Sequence, residues 1–260
     1  MSDRPKSGTR EWATHNKNFD LGCHNDCRYC YARYDAVVRF KRKTFENWKN
    51  REINMKKFNE KPVKLDGRLM FPSTHDITIE NVGLCVEYLK KWLAVGNEIL
   101  IVSKPHLSCV NILCHELAEY KSQITFRFTI CSKNDDVLKF WEPNAPSFNE
   151  RKEALKYAHL QGYNTSVSCE PYLDEDICLL VEDLLPYISD SIWIGKMNKM
   201  KPRVDISNWT REELEYLNRV KRNQTDEIVK AIYDTFKNNP RVKYKESVKR
   251  VIGLPEEEIG

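Results

Sequence analysis

The chain has no run of about 18 apolar residues, so no membrane-spanning helix is expected. Its first residues, MSDRPKSGTR, are polar and basic with no apolar stretch behind them, so no secretory signal is expected. An even, closely spaced cysteine set is also missing. The nine cysteines, at 23, 27, 30, 85, 109, 114, 131, 169 and 178, are odd in number and scattered. That argues against a disulfide framework and makes a reducing cytoplasm the expected compartment. There is no second CxxC pair, no internal repeat at a fixed period and no low-complexity tract. Nor does one sign of charge dominate. With 31% charged residues and a net charge of +4, a nucleic-acid partner is permitted but not demanded. A hydrophobic content of 41% over 260 residues suits one domain, or one domain with a small appendage.

After residue 65 an alternation begins. Short apolar runs at 68–71, 98–102, 124–130, 164–168 and 191–194 read as strands, and 18–21 would supply a first one. Between them lie stretches of helical period at 81–94, 108–120, 149–161 and 175–188, with Gly162 placed like a helix stop. Six strand–helix units predict a parallel sheet curled by right-handed crossovers into a barrel or partial barrel. Chemistry in such folds gathers at the C-terminal ends of the strands. Residues 39–64 fall outside the alternation and hold ten Lys/Arg against three Glu, with Phe40, Phe45, Trp48 and Phe58 interleaved. Such a segment can follow a phosphate backbone and stack bases, or be a solvated helix. From 203 onward the chain reads as helical and polar, with a basic stretch at 237–250, so the expected division is a core over 1–202 and an extension over 203–260.

Three cysteines lie within eight residues, in LGCHNDCRYCYAR. Thiolates are the usual ligands of [4Fe–4S] clusters, and three of them leave one iron open to nitrogen and oxygen donors. A structural zinc site prefers four ligands in two pairs; His24 could act as a fourth, but it adjoins Cys23. A redox Cys27–Cys30 pair would leave Cys23 unexplained.

CxxxCxxC with Tyr29 before the last cysteine resembles the signature of the radical S-adenosylmethionine (SAM) enzymes. The resemblance is closer still to their spore photoproduct lyase branch, over about Phe19 to Pro171. It is carried by CHNDCRYCYAR, FPSTHDITIENVG, LIVSKPHLSCVNIL and TFRFTICSKNDDVLKFWEPNAPSFNERKEALKYAHLQGY. It implies a partial (β/α)6 TIM-like radical SAM barrel with a helical C-terminal extension. It further implies a [4Fe–4S] cluster on Cys23, Cys27 and Cys30, whose open iron chelates the SAM methionine. One electron, from a donor such as flavodoxin or ferredoxin, would cleave the sulfonium to a 5′-deoxyadenosyl radical that takes a hydrogen from the substrate.

Residue by residue, the resemblance makes Ser73, Thr74, His75 and Asp76 candidates for the SAM amino group and Lys104 the partner of its carboxylate. Thr129 matches a hydroxyl residue near the ribose, with Ser132 beside it. Tyr29, Tyr31 and His75 are the candidates for catalytic roles, and the Glu142/Arg151 pair is expected to be architectural. The lyase has a cysteine at the second-strand tip that returns a hydrogen atom to the product radical; here Ser73 stands there, and a serine O–H bond is too strong to do so. The expected substrate class is therefore a nucleic-acid base or nucleotide (DNA, RNA or free) without commitment to thymine-dimer reversal. A peptide or small metabolite is the second enzymatic reading, and a non-catalytic iron–sulfur or zinc protein the reading of another class. Beyond these, Cys131 and Cys169 are expected near the barrel mouth, and Glu170, Gly195, Lys196 and Asn198 are candidates to meet ligand after strands five and six.

Overall fold

The computed structural model describes residues 8–255. Nine strands form: β1 (His15–Asn16), β2 (Asp20–Leu21), β3 (Glu52–Ile53), β4 (Leu69–Phe71), β5 (Ile99–Ser103), β6 (Ile124–Thr129), β7 (Asn164–Cys169), β8 (Ile192–Ile194) and β9 (Val242–Tyr244). Seven make one parallel sheet in the order β1-β4-β5-β6-β7-β8-β9; β2 and β3 pair antiparallel beside it. This is the partial TIM-like barrel that the resemblance implied.

The helices are α1 (Tyr31–Tyr34), α2 (Met55–Phe58), α3 (Val82–Ala94), α4 (Leu107–Glu116), α5 (Asp135–Trp141), α6 (Phe148–Leu160), α7 (Ile177–Leu184), α8 (Met200–Arg203), α9 (Arg211–Asn223), α10 (Asp226–Phe236) and α11 (Glu246–Ile252). Their starts follow local chemistry. Asn134, Ser147 and Asp176 accept hydrogen bonds from the first-turn amides of α5, α6 and α7, and Thr210 with Glu213 closes a capping box on α9. Gly162 takes φ +77°, as its position after α6 predicts.

Strand alternation divides the sheet into two buried faces. Phe71, Ile101, Phe126, Phe128 and Val167 point outward and pack on the helices in the main core. Met70, Leu100 and Trp193 point inward and join Trp12 and Ala13 in a smaller cluster that floors the barrel. Arg127 shares that interior. Its guanidinium lies over the Trp12 and Trp193 rings at 4.9 and 5.3 Å and donates to Ser166 Oγ at 2.9 Å.

Two expectations are corrected. The first sheet strand is β1, not residues 18–21. Phe19 instead drops among Phe58, Phe71 and Tyr88, while the Asp20 carboxylate takes Arg51 at 2.7 Å, which turns this segment out to pair with β3. The sheet also gains a seventh strand, because Val242 and Tyr244 bury against β8 inside what reads as a polar extension. Residues 203–255 are otherwise helical, but Val220, Val229, Ile232, Phe236 and Val248 join the main core.

The basic segment is partly a core element as well. Trp48 is buried under the cysteine loop against Ala32 and Ala36, and Phe58 is buried against Phe19. Only Phe40 and Phe45 remain exposed.

Candidate active site

A cavity of about 510 Å³ opens at the C-terminal ends of the strands, within the size range of small-molecule sites. The inward alternation continues into it: Met70 and Pro72, Val102 and Lys104, Thr129, then Ser168 and Glu170 line its wall. The loop between β2 and α1 brings Cys23, Cys27 and Cys30 to the same wall, with Tyr29 and Tyr31 between and beside them. Ser73, Thr74, His75 and Asp76 complete it. One candidate does not join them. Ser132 lies outside the lining, where its hydroxyl donates to Asp174 and accepts from the Asn134 amide at 2.9 Å, supporting the start of α5.

All three cysteines are free thiols. Burial holds the Cys23 thiol well above its ordinary range, with Asp76 and the other two thiols adding to it, and pushes Cys27 up to about 12 against the opposing pull of Lys104. Metal binding must then displace protons, as it does for any thiolate ligand. Among the described residues no three His, Cys, Asp or Glu side chains converge on one point that could hold a single ion. Three free thiols of one loop on one cavity wall are the ligand type that a four-iron cube takes, each thiolate on a different iron.

The strand-tip residues are shaped by partners absent from the motifs. Asn18 Oδ1 accepts from the Ser73 and Thr74 amides at 2.7 and 2.9 Å, and its Nδ2 donates to Ser73 Oγ at 2.8 Å. The Tyr31 hydroxyl donates to the Ser73 carbonyl. Asp76 is already fully engaged. It accepts from Asn25 Nδ2 and the Ile77 amide, each at 2.8 Å, from the Ser103 hydroxyl and from the Lys104 amide at 3.1 Å. It thereby ties the cysteine loop to the tip of β5, a positioning arrangement.

Glu142 does more than hold a loop. Its carboxylate is fully buried, paired with Arg151 at 2.6 Å, and it accepts from the Tyr29 hydroxyl while lying 3.8 Å from Lys104 Nζ. Burial works to raise its pKa, but Arg151 and Lys104 outweigh it and hold Glu142 below the usual carboxylate range. Burial likewise opposes the charge on Lys104, yet Cys27, Glu142 and Asp76 together hold its ammonium above the ordinary value. Burial pushes both Tyr29 and Tyr31 upward, so both are neutral O–H donors. Cys131 is buried outside the cavity lining with its Sγ 3.8 Å from the Tyr29 hydroxyl, and Cys169 is equally buried.

His75 is buried among Phe19 and Phe71, with Nδ1 3.8 Å from Asp20. Burial lowers its pKa against the opposing pull of Asp20. The unfolded chain therefore takes up this proton first as pH falls below about 6.5. Stability is lost through the window from that value down to the lower folded pKa. The Tm of the His75→Gln protein is expected to fall less steeply than that of the parent between about pH 6.5 and 5. Parallel Tm–pH curves would show that His75 is not the group that titrates.

Gly195 was expected to let the backbone meet a ligand. A Cβ there would lie 2.9 Å from the Cγ atoms of both Glu170 and Lys245, so the close approach is made by those two side chains.

No family model matches the chain. A curated relative, the uncharacterized protein ORF301 of Acidianus two-tailed virus, is 27% identical over 202 residues, covering 69% of this chain; the match spans 65% of the relative's own length. Among solved structures, a point variant of spore photoproduct lyase superposes with a TM-score of 0.53 at 16% identity, covering 94% of this chain and 80% of the lyase. A second variant, with bound AdoMet and dinucleoside spore photoproduct, gives 0.51 at 15% identity, covering 89% and 76%. The chain has the fold of spore photoproduct lyase.

At these identities the likeness is one of fold. The shared fold nevertheless accounts for why one loop and four strand tips converge. Asn18, Asn25, Glu142 and the Glu170–Lys245 contact were not singled out as parts of the site by sequence. Glu142 alone carried a signal, the Glu-Pro step paired in order with Arg151. Among the described residues no helix is long and apolar enough to cross a membrane.

Proposed function

We propose that this chain is a radical SAM enzyme that binds a [4Fe–4S] cluster through Cys23, Cys27 and Cys30 and abstracts hydrogen from a nucleic-acid base or nucleotide. The observation that carries the proposal is the shared cavity. Three free thiols, Lys104, Thr129 and the Ser73–His75 turn all open onto it. With cluster and SAM bound, reductive cleavage supplies a 5′-deoxyadenosyl radical. The rest is the work of the chain. Lys104, kept charged by Cys27, Glu142 and Asp76, would meet the SAM carboxylate. The Asn18-ordered turn at Ser73 and Thr74 would offer polar groups to the methionine amine, and Thr129, on the same cavity wall, would serve the ribose. Tyr29 and Tyr31 close the space beside the cysteines and exclude water.

The nucleic-acid reading draws on the lyase variant that binds a dinucleoside photoproduct and on the exposed Phe40, flanked by Arg39 and Arg42 at 5.2 and 5.0 Å. Ser73 at the second-strand tip argues for a product-forming step different from the lyase's.

The test is anaerobic. The reconstituted protein, reduced by dithionite or by a flavodoxin or ferredoxin, is expected to convert SAM to 5′-deoxyadenosine. DNA, RNA and nucleotides are then added in turn, and one class is expected to raise the yield. Zinc in place of a reducible cluster would sink the proposal; stimulation by a peptide alone would redirect it.

A further inference from the structure

Charge on the cavity wall is not balanced. Three carboxylates line it and each is already matched. Asp76 is engaged by the donors described above, Asp35 pairs with Arg39 at 2.9 Å, and Glu170 pairs with Lys245 at 3.5 Å. The cations are a different matter. Lys104 has Glu142, and Lys196 shares the exposed Asp226 at 3.3 Å. Arg10, Lys199 and Arg203 also line the cavity, and among the described residues none of them has a carboxylate within 4.0 Å. Arg203 instead reaches over the Tyr31 ring, 5.8 Å from its centroid.

These residues are brought together by the fold. Lys196, Lys199 and Arg203 follow β8, while Arg10 sits in the short helical turn Gly8–Glu11 ahead of β1. Lys245, immediately after β9, ties the two regions. Its buried ammonium contacts Glu11 at 2.9 Å, the Gly8 carbonyl at 2.7 Å, Glu170 and the Trp12 ring. Cations that line one cavity without direct ion pairs repel one another, and a bound anion relieves that repulsion, which for Arg203 the nearby Glu170 offsets only in part. Guanidinium groups grip phosphate in a fork geometry, and half-buried charges are screened less by salt than exposed ones.

We infer that Arg10, Lys199 and Arg203, with Lys196 beside them, form a subsite for a phosphate ester of the substrate, on the part of the cavity wall built by the segments after β8 and ahead of β1. The inference rests on the proposed function for the place of the reacting atoms, but not for binding itself.

Binding is measured by calorimetry on the unreduced, reconstituted protein with SAM present, so it does not depend on radical chemistry. The probes are a dinucleoside monophosphate, its neutral methylphosphonate analogue and a 5′-mononucleotide. A phosphate-bearing probe is expected to bind about tenfold more tightly than the neutral one and to weaken as salt rises. Arg203→Gln, and separately the Arg10→Gln/Lys199→Gln double variant, are expected to lose about tenfold for the phosphate probe and nothing for the neutral one. Arg203→Lys keeps the charge but not the fork and is expected to retain only part of the affinity. Preference for the bridging phosphate assigns the subsite to a strand; preference for the terminal one assigns it to a free nucleotide. Equal affinity for the neutral analogue, no detectable binding of either phosphate probe, or variants of unchanged Tm that bind phosphate as the parent does would each overturn the subsite. Phosphate binding in a protein that never cleaves SAM would leave the subsite standing and remove the radical SAM reading.

Discussion

Cys30→Ala is expected to abolish both the visible absorption of the reconstituted cluster and the formation of 5′-deoxyadenosine. With three thiolates available to four irons, each is a ligand that no neighbour replaces. The structure adds a complication that the experiment must separate. Cys30 is also the N-cap of α1, where its Sγ accepts from the Arg33 amide at 3.4 Å. Alanine removes that cap too, at about 0.5–2 kcal/mol by analogy with oxygen caps. Cys30→Ser keeps an acceptor there, so it should melt like the parent while forming little or no active cluster. Cys85→Ala serves as the contrast: Cys85 lies on the buried face of α3 in the main core, and its loss should lower Tm without touching the cluster. A Cys30→Ala protein that still assembles a [4Fe–4S] cluster and cleaves SAM would refute the ligand assignment.

Arg151→Met is expected to cost about 3–5 kcal/mol of stability, because it leaves the Glu142 carboxylate buried without its cation. Both side chains are fully enclosed, and Arg151 also donates to the Thr129 carbonyl at 3.2 Å and the Pro146 carbonyl at 2.8 Å. Glu142→Gln/Arg151→Met removes both charges and should recover part of the loss, since a neutral pair no longer needs solvation. Denaturant unfolding of the three proteins under anaerobic conditions gives the comparison. A single-variant cost under about 1 kcal/mol would show that water reaches the pair. The double variant carries a second expectation. Without the Glu142 charge, Lys104 and Tyr29 lose their common anchor, so SAM affinity should fall even where stability is restored.

The same pair shows how far the sequence reached. Order along the chain, Glu-Pro and then an arginine early in the next helix, was enough to mark Glu142 and Arg151 as structural partners. Nothing in that order told that the second carboxylate oxygen takes the Tyr29 hydroxyl, because Tyr29 lies 113 residues away. Asp76 shows the reverse case. Its place at the second-strand tip suggested a ligand contact, yet four donors from three chain segments leave its oxygens fully engaged.

The sequence by itself determined the parallel α/β class, the cysteine loop and most strand-tip candidates. These are written in local signals: apolar runs of period two, helical period between them, caps, and the CxxxCxxC spacing. Tertiary structure alone decided the rest. The two-residue β1 and the three-residue β9 are too short to show a period, and they exist because β4 and β8 offer them partners. Trp48 and Phe58 look like stacking aromatics in a basic segment until packing buries them beneath the cysteine loop and against Phe19. Lys245, one cation in a basic tail, becomes the buried tie between Glu11 and Glu170. In each case the outcome is a pairing between distant segments, and its energy depends on which surfaces meet rather than on which residues are neighbours in the chain.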